Sequence, residues 1–172
     1  MVRNTKKLLI IISIIISLFT LSGCNKREYE YHPSINAKKE AKRYFEYLKN
    51  KDIKSLNKLF SLNVQNSHNL EKEWNAFVDA IDGNIVNYEK ISSAGEEVRI
   101  DDRKVNYSVV VIDFENVKTD TGTIYKRIRY SQKRIDVTHP DEEGIIVFSV
   151  AIPAENEKGF QEVSVGEVVE NW

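Results

Sequence analysis

Cysteine occurs once in this chain of 172 residues, at Cys24. A lone thiol excludes an internal disulfide and any metal cage built from cysteine pairs, so the fold has to be held by its apolar core. Positive charge is not in excess either, since 25 Lys and Arg stand against 26 Asp and Glu for a net charge of −1. Nucleic-acid binding through overall charge is thereby disfavoured. There is no glycine-rich phosphate loop, no His-Glu-x-x-His and no Gly-x-Ser-x-Gly nucleophile elbow. Acidic clusters at Glu96-Glu97 with Asp101-Asp102, and at Asp141-Glu142-Glu143, lack EF-hand spacing and read as solvated turn residues. Catalytic residues, a metal and a cofactor are therefore not expected.

Long apolar runs are confined to one place. Leu8 to Phe19 is interrupted only by Ser13 and Ser17 and follows a basic start at Arg3, Lys6 and Lys7. It is shorter than the ~20 residues of a spanning helix and has the layout of a secretory signal. Leu21-Ser22-Gly23-Cys24 then resembles the lipobox of bacterial lipoproteins, which implies cleavage between Gly23 and Cys24 and a diacylglyceryl group on the Cys24 sulfur. Two acyl chains anchor stably where one is marginal, at about 0.8 kcal/mol per buried methylene. The alternative is an ordinary signal peptide, or an uncleaved anchor, with an incidental cysteine. The expected organisation is a signal at 1–23, a lipidated cysteine and polar tether at 24–33, and a single domain at 34–172 on the outer side of the cell membrane. The signal carries three of the 25 basic residues and no acidic one, so the 149 that follow hold 22 basic against 26 acidic side chains, a net charge near −4.

Beyond the tether, Ser34 is expected to cap a helix with Ala37, Ala41, Tyr44, Phe45 and Leu48 on one face. Asp52 should cap a second, with Ile53, Leu56, Leu59 and Phe60. Ser61 to Asn69 reads as a polar break, and a third helix places Leu70, Trp74, Phe77, Val78 and Ile81 together before Asp82-Gly83 ends it. After Gly83 the period becomes two. Strands are expected at Ile85–Ile91, in a short piece around Val98–Ile100, and at Lys104–Val117, Thr123–Thr138 and Gly144–Ile152, with an edge strand in the tail from Gly159. Short turns imply antiparallel pairing. Val109 to Ile112 and Ile145 to Phe148 are apolar on both alternating faces, so both sides of the sheet are expected to be covered, the second by the tail, a partner or another copy.

Helices followed by an antiparallel sheet make an α+β class. The order resembles the cone of the NTF2-like (cystatin-like) superfamily, with three N-terminal helices packed on a bent sheet. Leu70-Glu71-Lys72-Glu73-Trp74-Asn75-Ala76-Phe77, Ile81-Asp82-Gly83-Asn84-Ile85-Val86 and Asn116-Val117-Lys118-Thr119-Asp120-Thr121-Gly122-Thr123-Ile124-Tyr125, together with the lipobox, resemble uncharacterised lipoproteins of low-GC Gram-positive bacteria, the DUF5104 type. The superfamily resemblance implies a pocket between helices and sheet, which in its isomerase and cyclase branches holds an Asp/His or Asp/Tyr pair. Such a pair here would draw on His32, His68 or His139 and on Asp79 or Asp113. The histidines fall in the tether, a polar loop and a turn, and read as surface residues.

The candidate binding residues are Asp113, at the end of an apolar run, and the basic stripe Arg127, Arg129 and Lys133, aided by Arg134, which would meet an anionic group or an acidic partner. A strand end and a solvent-facing strand guarded by basic residues are the plainer readings. The expected function is that of a membrane-anchored, extracytoplasmic, non-catalytic module for a small ligand or a protein, an immunity-type lipoprotein among the possibilities. The rival is an NTF2-like isomerase or cyclase; a third reading is a homodimer through the doubly apolar sheet.

Overall fold

A computed structural model describes residues 33–101, 104–153 and 159–167; the signal, the Gly23–Cys24 junction, the tether up to His32 and Trp172 lie outside the described residues. Helix α1 is Pro33–Lys49. Proline suits a first helical position, where its missing N–H would have had no partner. The helix therefore starts before Ser34, which lies inside its first turn. Ala37, Ala41, Tyr44, Phe45 and Leu48 form the buried stripe that their spacing predicts. Asp52 caps α2, Ile53–Asn57, by accepting from the Ser55 amide at 3.1 Å.

The stretch expected as a polar break holds a further helix, α3, Leu62–Ser67, capped by Ser61 through the Val64 amide at 3.3 Å. Val64 is its buried residue, while Leu62 is exposed. A six-residue helix with one inward side chain has no period to read. Helix α4, Leu70–Asp79, is capped by Asn69 and buries Leu70, Trp74 and Phe77. The described residues thus carry four helices before the sheet, one more than expected.

Six strands follow: β1 Ile85–Asn87, β2 Lys90–Asp101, β3 Lys104–Thr119, β4 Ile124–Asp136, β5 Gly144–Pro153 and β6 Phe160–Gly166. They make one open antiparallel sheet in which β1 and β2 both pair with β3, and β4, β5 and β6 follow in order. The sequence places a break after Ile91; the chain instead breaks at Tyr88-Glu89 and then runs unbroken through Ser92-Ser93-Ala94-Gly95-Glu96-Glu97. Those residues have weak strand propensity, and pairing with the β3 backbone decides their conformation. The tail supplies β6 as an edge strand on β5, as expected.

Two bulges set which side chains face the helices. Ser131 pairs with Val147 and Gln132 with Ile145, so Ile146 is an extra residue in β5. Ile145 and Phe148 consequently both turn inward and are fully buried, while Ile146 and Val147 are half-buried on the other side. Opposite Ser108 and Val109 stand Ile135 and Lys133, which makes Arg134 the extra residue of β4. Its guanidinium reaches Glu40 of α1 at 2.9 and 3.1 Å.

The core lies between helices and sheet. Tyr44 packs on Tyr130 with ring centroids 5.7 Å apart, Phe45 on Phe114 at 5.1 Å, and Trp74 on Phe77 at 5.2 Å and on Phe148 at 5.4 Å. All seven rings are at most 5% exposed. On the opposite face the described residues leave the doubly apolar strands only partly covered. Val109, Val111, Ile146 and Val147 remain half-buried there, because β6 extends the sheet instead of folding across it.

Candidate functional site

The outer face holds a cavity of about 600 Å³. Register explains its floor. Glu96, Val109 and Lys133 stand side by side on β2, β3 and β4, and Ala94, Val111, Ser131 and Val147 form the next row across β2 to β5. Val109, Val111, Ile146 and Tyr107 supply apolar surface; Ser61, Asn63 and Val64 at the start of α3 form one wall, and Glu142 and Glu167 stand on the rim. The opening exists because β2 contributes so little bulk. In the row that faces the cavity it presents only Ala94 beside Val111. Ser131, buried between Val111 and Val147, has a hydroxyl without a hydrogen-bond partner.

Lys133 is the cation of this cavity, and its charge is matched. The ammonium bonds Asp136 at 3.1 Å and also Glu142, and lies 5.5 Å over the Tyr107 ring. Burial disfavours the charge, but the two carboxylates outweigh it and hold the lysine pKa above its usual value. Asp136 accepts from the amides of His139 at 2.9 Å and Thr138 at 3.1 Å as well as from Lys133, and these bonds lower its carboxyl pKa. Asp136, His139 and Glu142 offer ligand atoms within 4.8 Å of one another, a grouping that a metal ion could use. The lysine ammonium already supplies the positive charge between the carboxylates.

The residues singled out from the sequence come together differently from a basic stripe. Arg129 grips Asp113 with two parallel bonds, Nε to Oδ1 at 2.6 Å and a terminal nitrogen to Oδ2 at 2.9 Å. The Asp113 bonds keep this guanidinium more firmly protonated against the effect of burial. Asp113 sits in mid-strand, not at a strand end. Arg127 stands opposite Glu115 in the register, and Arg134 is turned toward Glu40 on the helix side. His68 Nδ1 lies 3.0 Å from Glu73 at the start of α4, and His139 is exposed. No histidine of the described residues faces Asp113.

A second locus joins segments that are distant in sequence. Asn84 donates from its backbone and side chain to the two Asp120 oxygens, both at 2.8 Å; Thr123 donates to Asp82 Oδ2 at 2.8 Å, and the Asp82 amide donates to Tyr125 Oη at 2.7 Å. This clasp ties the end of α4 to the β3–β4 turn. It is built from the Ile81–Val86 and Asn116–Tyr125 segments, and every group in it has a structural partner.

Sequence reasoning missed the cavity. Its signal is the low-bulk run Ser92 to Gly95 set against the doubly apolar Val109 to Ile112, and only the long-range pairing places the two side by side. A comparison with curated proteins finds no match. The family model described as a domain of unknown function, DUF5104, matches residues 43–153, from within α1 to the end of β5, and the chain belongs to that family.

Proposed function

We propose that this protein is a membrane-anchored extracytoplasmic lipoprotein whose domain is an NTF2-like binding module, with the outer cavity as its site. One observation carries the binding part. The space between α1, α4 and the sheet, where the isomerase and cyclase branches of the superfamily would need a pocket, is occupied by Tyr44, Phe45, Trp74 and Phe77, whereas the open cavity lies on the opposite face. Asp113, the carboxylate such an enzyme would use, is on that opposite face and is held by Arg129. The NTF2-like assignment is supported by helices that precede an antiparallel sheet, with α1 and α4 packed on one of its faces.

The anchor rests on Leu21-Ser22-Gly23-Cys24, the lone cysteine and the apolar segment before it. Metabolic labelling with a fatty acid, followed by membrane fractionation of the native chain and Cys24→Ser, tests it. The native chain should carry label and sediment with membranes. The variant should lose the label and either appear in the medium or retain its signal; a fully processed, membrane-bound Cys24→Ser would overturn the anchor. An immunity role would show as an adjacent gene for a secreted toxin.

A further inference from the structure

We infer that the outer cavity takes a small amphipathic cation, an apolar body carrying a protonated amine, an inference that rests on the cavity being the binding site. The floor is aliphatic and about 600 Å³ suits a small organic molecule. The polar groups around that floor are unbalanced in sign. Glu96, Glu142 and Glu167 face Lys133 alone. Lys133 is already neutralised by Glu142 and by Asp136 beneath it. Glu96 and Glu167 have no ion-pair partner among the described residues, so two carboxylates remain at the rim with nothing to offset them.

An anionic ligand would meet both of those charges, and a neutral one would leave them solvated at the edge of an apolar site. An ammonium group placed at the rim meets one of these carboxylates with charge-assisted bonds and is attracted by the other, while its hydrocarbon part covers Val109, Val111 and Ile146. The Tyr107 ring adds a face that attracts cations. The basic stripe read from the sequence pointed to the opposite charge, because Asp113 quenches Arg129 from the neighbouring strand and Glu142 reaches Lys133 from a turn, while Asp136, three residues from Lys133, meets it beyond the bulge at Arg134.

The test uses the full chain in lipid nanodiscs, with empty nanodiscs as the blank, titrated calorimetrically with cyclohexylmethylamine, cyclohexylmethanol and cyclohexanecarboxylate. The amine is expected to bind about tenfold tighter than the alcohol, with the carboxylate weakest. Glu96→Gln with Glu167→Gln should remove the preference for the amine and leave the alcohol unchanged. Ala94→Trp, which fills the cavity from an exposed position on β2, should abolish all binding. Equal affinity for amine and alcohol would overturn the cationic ligand while leaving the cavity as a binding site. Binding that Ala94→Trp does not alter, or none above the blank in any arm, would overturn the site itself. A chain-to-chain cross-link lost in Ala94→Trp would make a second copy the occupant and overturn the inference.

Discussion

Asp120 shows how much structure a single carboxylate can organise. It accepts from the backbone amide and the side-chain amide of Asn84, and these bonds, the backbone one first, hold its pKa below the ordinary carboxylate value. Asp136 is depressed first by the His139 amide, and Asp52 first by the Ser55 side chain and then by the Ser55 amide. A carboxyl group whose pKa is lower in the folded chain contributes stability that is complete above its unfolded value, about 3.9, and is lost as pH falls through the folded value. Urea midpoints measured from pH 7 downward should therefore hold until about pH 4 and fall below it. Asp120→Asn should start lower at pH 7 and lose less between pH 4 and pH 3 than the native chain. An acid profile with the native slope in that variant would remove Asp120 from this account.

At the scale of elements, the clasp between α4 and the β3–β4 turn depends on Gly83, whose φ of +84° is a conformation that side chains rarely adopt. An added Cβ there would also stand 2.5 Å from Asp120 Oδ1 and 2.7 Å from Thr121 Cγ2. Gly122 has a similar φ of +90° but open space around it. Gly83→Ala should therefore cost about 1–3 kcal/mol and Gly122→Ala about 1 kcal/mol, read as thermal or urea unfolding. Equal losses would mean that backbone conformation alone matters and that the contacts with the turn do not. What the sequence made legible at this scale was period and punctuation: the stripe of α1, the Asp52 cap, the turn at Gly83 and the tail strand. It hid α3, which has one inward residue, and β2, whose small side chains are held as a strand by β3. The two bulges were hidden for a different reason. Each is a property of a pair of strands, so a run such as Ile145 to Phe148 looks doubly buried until its partner's register is known.

For the whole molecule, the described residues belong to one unit, His32–Trp172, and the buried apolar residues begin at Ala37. A chain starting at His32 should accordingly unfold in one transition, with a urea midpoint equal to that of the chain from Asn25 to within about 0.5 kcal/mol of stability. A large loss on removing residues 25–31 would show that the segment read as a tether packs on the domain. The candidate site was the least legible feature because it needs every level at once. The alternation of β3 supplies its floor, a bulge supplies Ile146, a short helix supplies a wall, and one of the two carboxylates that cancel Lys133 comes from a turn.

The clasp is one of several attachments of the helices to the sheet. At another corner, Phe60 forms a bridge with Ile145, where the Ser61 amide donates to the Ile145 carbonyl at 3.0 Å and the Ile145 amide to the Leu59 carbonyl at 2.7 Å. The covalent path from Phe60 to Gly83 includes α3 and α4, so both ends of that span are pinned to strands far along the chain. Peeling these helices away singly is therefore disfavoured: amide protons in α4 are expected to be protected by the same opening event that frees the start of β5 and the β3–β4 turn, so that the two helices exchange with solvent together.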